Sequence, residues 1–304
     1  MAGRFAPSPT GDLHLGNLRT AAVAWLSARS SGNDFIVRIE DLDQHQSTLE
    51  HEQSQLHDLA RLGIDWDGDV VRQSERFARY ELAIDALREK DLVYECFCSR
   101  REVREEIKLS PRAPHGPPGS YPGTCRNLSE AELDVRRSSG RASALRLRTE
   151  GQRVEFTDRL VGATFGYVDD VVLRRNDGVP AYNLAVVVDD AAQGVTEVVR
   201  GNDLLDSTPR HVQLQTLLGL PTPEFLHVPL VVDEDGERLA KRDGHPVTLS
   251  DLEAAGVSVA EVLSWIGVSL GLAVPTERLG LGALVDRFDP DLIPRQPCLA
   301  PPFG

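Results

Sequence analysis

Residues suited to chemistry gather in three places along the chain. The first, Arg4 to Asn17, reads RFAPSPTGDLHLGN, with prolines and glycines around one histidine. His14 is suited to donate a hydrogen bond to a phosphate oxygen whose charge grows in a transition state. Gly16 would let a flat ring or a phosphate approach the backbone. The stretch is neither a Walker loop nor the G-x-G-x-x-G pattern. A capped turn with an internally satisfied histidine explains the same residues as well. The second place is GERLAKRDG, which sets Arg238, Lys241 and Arg242 on a loop between glycines. Three such cations suit a triphosphate and its leaving pyrophosphate, with lysine as a mobile point charge. A solvated charged turn is the plainer alternative. The third is CFC at Cys96–Cys98 followed by YPGTC ending at Cys125, within a Pro/Gly-rich stretch. Three thiolates there suit a structural zinc ion, and metal-free thiols are the alternative. Tyr121 and His115 are the candidates for a fourth ligand, imidazole being the commoner. Cys298 reads as an isolated free thiol.

These groups need a scaffold. A short strand at 3–6 runs into the proline-punctuated turn, and LGNLRTAAVAWLSA from Leu15 has a helical pattern. DFIVRIED from Asp34 reads as a buried strand ending in acids, and 47–62 and 75–89 as amphipathic helices. Alternating strand and helix predicts an α/β fold with a Rossmann-like parallel sheet. Ligands of such sheets bind at strand carboxyl ends and helix N-termini, where APSPTGDLHLGN lies. We divide the chain into residues 1–95, the first half of the Rossmann-like domain, and 96–175, an insertion with the cysteines. Residues 176–245 form the second half with the basic loop, and 246–304 a helical C-terminal segment. Within the insertion, ASALRLRT and GYVDDVVLRR read as strands. Strand and helix patterns resume at Tyr182 with YNLAVVVDDA, then GVTEVVRG as a strand and DLLDSTPRHVQLQTLLG as a helix. EFLHVPLVVDEDGERLAKRDG reads as a strand followed by a turn and the basic loop.

Composition limits the partners. The chain has 304 residues, 33 Lys and Arg against 47 Asp and Glu, and a net charge of −14. That balance argues against a non-specific nucleic-acid binder but leaves room for a local basic patch at Arg136, Arg137, Arg141, Arg146 and Arg148. Four cysteines, three of them clustered, do not suit a secreted disulfide framework. No apolar run is long enough for a membrane span and no signal peptide is apparent, so a cytoplasmic, monomeric protein is expected.

Taken together and in order, HLGN and RLAKR resemble the two signatures of the class I aminoacyl-tRNA synthetases. RFAPSPTG, RIEDLD (Arg38–Asp43), AYNLAVVVDDA (Ala181–Ala191) and VVRGNDLL (Val198–Leu205) are similar to blocks of the glutamyl-tRNA synthetase group, over about residues 3–270. Few residues follow the basic loop's helices, where a full glutamyl-tRNA synthetase carries an anticodon-reading region. That shortness resembles the family of stand-alone glutamyl-Q tRNA(Asp) synthetases, which attach glutamate to queuosine in the anticodon of tRNA(Asp). The resemblance implies an ATP-dependent ligase with glutamate, ATP and queuosine-containing tRNA(Asp) as partners. It implies that Arg4 and Arg200 each meet a carboxylate. Glu40 would pair with the α-ammonium, assisted by Ser8 and the Ala6 backbone, and Tyr182 would close the pocket. His14, Gly16, Asn17, Arg238, Lys241 and Arg242 fall to ATP, with His14 and Lys241 as the catalytic pair and Mg²⁺ on the nucleotide. The same pattern places a tyrosine four residues before the last cysteine, which favours Tyr121 over His115 as the fourth zinc ligand. Three departures stand out: Asn17 where a histidine is usual, Arg238 where lysine is common and Ala240 where serine is common. A lost serine hydroxyl removes one phosphate donor, about 1–3 kcal/mol. Two other readings fit the residues: a truncated glutamyl-tRNA synthetase charging a tRNA 3′ end, and an inactive paralogue that binds tRNA or glutamate.

Overall fold

The computed structural model describes residues 1–109, 120–237, 239 and 248–301. His115, Arg238, Ala240, Lys241 and Arg242 lie outside the described residues.

All four residues of strand Ala2–Phe5 are buried, and helix Leu15–Ser30 buries residues on nearly every side. An element apolar all round belongs in the middle of a fold, and this strand is central. The main sheet has seven strands, in the order Val71–Arg72, Asp34–Ile39, Ala2–Phe5, Val195–Gly201, Glu224–Val228, Arg153–Asp158 and Gly162–Tyr167. The first six are parallel and the last is antiparallel to its neighbour. From Ala2–Phe5 the chain builds outward on one side and later returns on the other. The strand order therefore reverses between Ala2–Phe5 and Val195–Gly201. A crevice opens at such a switch point, beyond the strands' carboxyl ends.

Residues 96–175 contribute to two sheets. Ala144–Leu147 and Val172–Arg174 join Val93–Cys96 in a small antiparallel sheet beside the cysteines, whereas the hairpin Arg153–Tyr167 extends the main sheet. GYVDDVVLRR, expected as one strand, is split: Tyr167 ends a strand of the main sheet and Val172 begins one of the small sheet. The reason lies in the two acids between them. Asp169 meets Arg210 Nε at 2.8 Å and Asp170 meets Arg126 NH1 at 2.6 Å, which draws this stretch out of a continuous pleat.

The C-terminal segment is helical at Leu249–Ala254 and Val259–Ser269, each started by a reciprocal cap, Thr248 with Asp251 and Ser258 with Glu261. Past 3₁₀ turns at Leu281–Arg287 and Pro290–Leu292, Cys298–Leu299 pairs in parallel with Val231–Val232, a strand the sequence pattern did not suggest. Buried Arg19 ties the first helix to this segment through Ser269 Oγ (2.9 Å) and to the end of strand Glu224–Val228 through Pro229 O (3.1 Å). No helix among the described residues is long and apolar enough to cross a membrane.

Candidate active site

The turn after the first strand is held from three sides. Glu40 N donates to Pro7 O (2.9 Å) and Thr48 N to Pro9 O (3.0 Å). Gln55 Nε2 reaches in from the next helix to Ser8 O (3.0 Å) and Gly11 O (2.6 Å). Gln55 had no signal in the sequence, being one of two glutamines on an amphipathic helix. The turn ends at His14, the N-cap of helix Leu15–Ser30. Its Nδ1 accepts from Gly16 N (3.1 Å) and Asn17 N (3.3 Å), and Asn17 Oδ1 accepts from His14 N (3.3 Å).

This cap accounts for two residues at once. Asn17 completes a reciprocal cap, and Gly16 lets the ring fold back: a Cβ at 16 would meet His14 Cε1 at 3.0 Å and Nδ1 at 3.1 Å. The cap also fixes a tautomer. With Nδ1 accepting from the backbone, a neutral ring carries its proton on Nε2, as a donor. The capped turn and the phosphate donor, set as alternatives by the sequence, are thus compatible in one side chain.

A cavity of about 390 Å³ opens at the switch point. Arg4, Ala6, Ser8, His14, Gly16, Asn17, Glu40, Tyr182 and Arg200 all line it, so every described residue expected to hold glutamate or ATP stands at one site. Described residues around the basic loop stand at this place. Leu239 N donates to Val231 O (3.0 Å), Val231 lines the cavity, and Thr248 forms a β-bridge with His14.

Charge in the cavity wall is unevenly balanced. Arg38, fully buried, donates to Asp190 Oδ1 (2.7 Å), Gln193 Oε1 (3.0 Å) and Glu40 Oε1 (3.1 Å). Arg4 shares Asp190 at 3.4 Å and donates to Val199 O (3.1 Å). Burial acts upward on Asp190, but Arg38 and Arg4 hold it below the usual carboxylate range. Glu40 lies above that range: burial outweighs Arg38 and Arg4 there. A cationic ligand beside Glu40 would relieve that burial cost. Arg200 is 5% exposed, and its hydrogen-bond partners among the described residues are uncharged. It donates from Nε to His227 Nε2 (3.0 Å), from NH1 to His211 Nδ1 (3.1 Å), and from NH2 to Thr208 Oγ1 (2.8 Å) and Leu204 O (3.3 Å). Burial depresses Arg200, and Arg4 adds to the depression. A buried guanidinium with no carboxylate on it among the described residues is matched to an anionic ligand. Burial and Glu40 raise the Tyr182 hydroxyl, which stays protonated beside them. Arg38, Asp190, His211 and His227 were not singled out from the sequence, although RIEDLD and VVVDDA contain the first two.

A second cavity, of about 890 Å³, shares Ser8, Thr10, Glu40 and Tyr182 with the first and continues past Arg100, Arg104, Arg146 and Arg175 toward Cys98. It joins the sheet crevice to the cysteine region. There the Sγ atoms of Cys96, Cys98 and Cys125 lie within 4.8 Å of one another. Tyr121 Oη sits among them, 3.4 Å from Cys96 Sγ and 3.6 Å from Cys98 Sγ, and accepts from Cys125 N at 2.9 Å. Hydrogen bonds from Cys125 and Cys98 pull the Cys96 thiol far below its ordinary value, and the same sharing pushes Cys98 up. Three sulfurs and a phenol oxygen at these separations fit the edges of a tetrahedral zinc site. The Arg146 guanidinium covers the Tyr121 ring at 3.8 Å, which balances thiolate charge.

Of the basic patch, Arg136 is exposed and the other four arginines have partners. Arg137 pairs with Glu95, Arg141 with Glu102, and Arg146 and Arg148 donate to backbone carbonyls of Asp170 and Arg126.

Residues 1–277 match the family of tRNA synthetases class I (E and Q), catalytic domain. A glutamyl-Q tRNA(Asp) synthetase of Nocardia farcinica is 58% identical over 97% of this chain and 92% of that protein. A glutamate–tRNA ligase of Oleidesulfovibrio alaskensis is 42% identical over 96% of this chain, which spans 62% of the ligase. The crystal structure of a glutamate tRNA ligase from Elizabethkingia meningosepticum, solved with its amino acid, superimposes with a TM-score of 0.84 at 27% identity. It covers 98% of this chain, which spans 66% of that one.

Proposed function

The chain belongs to the class I tRNA synthetases of the glutamate and glutamine type, and from that premise we propose that it activates glutamate with ATP, without tRNA, and passes the glutamyl group to queuosine in the anticodon of tRNA(Asp). One observation carries the reading. The switch-point cavity sets two buried arginines, a buried carboxylate and a histidine-capped helix start around a space the size of a small amino acid and a phosphate. Arg4 and Arg200 take one carboxylate each, Glu40 takes the ammonium, Ser8 and the Ala6 backbone assist, and Tyr182 closes the pocket. A guanidinium at the side-chain carboxylate selects glutamate over glutamine, whose amide leaves that charge poorly paired.

In the first step an α-carboxylate oxygen attacks the α-phosphorus of ATP and pyrophosphate leaves. Catalysis is positioning with charge stabilisation. His14 Nε2–H and Lys241 stabilise the phosphates, Gly16, Asn17, Arg238 and Arg242 hold the nucleotide, and Mg²⁺ accompanies it. In the second step a hydroxyl of the queuosine cyclopentene ring attacks the acyl carbon. An ester forms, AMP leaves, and the adenylate phosphate takes the proton. The larger cavity, sharing Glu40 and Tyr182 with the first and edged by four arginines, suits the approach of an anionic polynucleotide to the acyl group. Cys96, Cys98, Cys125 and Tyr121 would hold one structural zinc ion, which would fasten the insertion that forms the far wall of this cavity.

Glutamate-dependent exchange of pyrophosphate into ATP without tRNA tests the first step, and no exchange overturns the enzyme reading. Labelled glutamate offered to tRNA(Asp) with and without queuosine tests the second. The 42% identity to a glutamate–tRNA ligase supports 3′-end charging as the rival. Label on the 3′ end of tRNA(Glu), with none on queuosine, would establish it.

A further inference from the structure

We infer that His211 and His227 are positioning residues for Arg200: two uncharged imidazoles that hold the guanidinium through their lone pairs and leave its charge for a substrate carboxylate. The inference rests on the reading that Arg200 takes one carboxylate of glutamate.

Three neighbouring parallel strands build one side of the arrangement. His227 is the register partner of Arg200, and Phe225, two residues before it, is the partner of Asp158. Arg200, His227 and Asp158 thus stand side by side near the strands' carboxyl ends. Asp158 is fixed as an anion. It accepts from Leu160 N, Val161 N and His227 N, each at 2.9 Å. His227 Nδ1 lies 2.7 Å from its Oδ2. An ionised carboxylate only accepts, so Nδ1 carries the proton and the Nε2 lone pair meets Arg200 Nε–H at 3.0 Å.

The other side comes from two helices. His211, on helix Thr208–Leu218, faces Arg200 NH1 through Nδ1 at 3.1 Å. A guanidinium has no acceptor, so this nitrogen is the unprotonated one, and Nε2–H donates to Asn183 Oδ1 at 2.9 Å. Both rings are therefore held in one tautomer by the group on their far side.

Two other buried arginines, Arg4 in the cavity wall and Arg38 behind it, are treated differently. Arg4 and Arg38 contact Asp190 directly. Arg200 is separated from its nearest acid on this side by the width of an imidazole. A carboxylate in the place of either ring would orient the guanidinium equally well, but would also neutralise it. A substrate carboxylate would then have to displace an ion pair. The imidazoles supply orientation without that competition, and Asp158 steadies the cation through His227 without touching it.

The experiment compares glutamate and ATP KM in pyrophosphate exchange, with melting temperatures, for His211→Glu, His211→Gln, His227→Leu, His227→Gln and Arg200→Gln. His211→Glu puts an anion on Arg200 and is expected to raise glutamate KM by about 10- to 150-fold, the worth of a hydrogen bond to a charged group. Its ATP KM stays within about threefold, and it melts no lower than His211→Gln, which retains most of the glutamate affinity. Should His211→Glu fail to fold, the second pair decides. His227→Leu strips the acceptor from Arg200 Nε and raises glutamate KM alone, and His227→Gln restores much of the loss. Glutamate and ATP KM rising together with a fall in melting temperature marks a purely structural role and overturns the inference. Wild-type glutamate KM in Arg200→Gln overturns both this inference and the reading beneath it. A raised KM in Arg200→Gln, with wild-type values in His211→Glu and His227→Leu, overturns this inference alone.

Discussion

His14 is assigned two tasks, capping a helix and donating to a phosphate, and one substitution separates them. Asparagine is among the best N-cap residues, so His14→Asn keeps an acceptor for Gly16 N and Asn17 N but has no donor at the position of Nε2. His14→Ala removes both. The cap is worth about 1 kcal/mol, within a range of 0.5–2 for such residues. In a chain of this size that lowers the melting temperature by roughly 2 °C. A hydrogen bond to a charged phosphate is worth about 1.5–3 kcal/mol, which is roughly 10- to 150-fold in rate. The expected pattern follows. His14→Asn melts within about 1 °C of the parent and exchanges pyrophosphate roughly 10- to 150-fold more slowly. His14→Ala is as slow and melts lower. Gly16→Ala provides a third arm, because its Cβ would lie 3.0 Å from the ring carbon and push the imidazole off the cap. It should melt lower and turn over more slowly together. Wild-type exchange by His14→Asn would show that the ring is only a cap. An equal loss of stability in His14→Asn and His14→Ala would refute the cap energetics instead.

Three further outcomes follow from the same geometry. Glu40→Gln removes the carboxylate assigned to the ammonium and leaves Arg38 a neutral amide oxygen in place of an anion, so glutamate KM should rise by about 10- to 100-fold; an unaltered KM places the ammonium elsewhere. Metal analysis should find about one zinc per chain, and Cys125→Ser should bind less than half of that and melt lower; a full zinc content in Cys125→Ser excludes the sulfur cluster as the site. Acid should weaken the fold through His211. Burial, with Arg200 and Arg4 adding to it, lowers its pKa well below 6.5, so the unfolded chain gains a proton near pH 6.5 while the folded chain does not. That stability is present above pH 6.5 and falls as pH drops below it, by about 1 kcal/mol between 6.5 and 5.5. Asp58, pushed up to about 6 by burial, takes up protons in the folded state over the same window and offsets part of the loss. The comparison is therefore with His211→Gln, whose denaturation free energy should fall by about 1 kcal/mol less than the parent's over that interval; equal slopes show that His211 is charged in the folded state.

Much of the scaffold was legible because its signals are local. The strand at Ala2–Phe5, the helix from Leu15 and the strand from Asp34 are carried by apolar patterning and by capping residues within a few positions. The turn residues and the cysteines were legible for the same reason, since their chemistry is written in short spacings. GYVDDVVLRR misled because its apolar content suits a continuous strand. What divides it is the pairing of Asp169 and Asp170 with arginines more than forty positions away in sequence. Pairing of Cys298–Leu299 with Val231–Val232 was invisible likewise: two residues carry no period, and their partner lies far back in the chain.

The electrostatics of the site shows the same limit in a more instructive form. Read singly, Arg4, Arg38 and Arg200 are three buried arginines, and a buried arginine is ordinarily balanced by an acid. The local sequence even supplies candidates, in RIEDLD and VVVDDA. Strand order decides which arginine receives them. Asp190 lies at the C-terminal end of helix Tyr182–Ala192, where it meets Arg4 and Arg38 from the first two parallel strands. Arg200 lies one strand further along, beside Glu224–Val228, and its register partner is a histidine. Among the described residues the switch point therefore has two cations, Arg4 tied to an acid and Arg200 to neutral rings, with Glu40 close by in excess burial. A ligand with a carboxylate at each end and an ammonium between them suits that pattern better than a monocarboxylate or a diamine does. The asymmetry belongs to the sheet topology, and no residue reveals it alone.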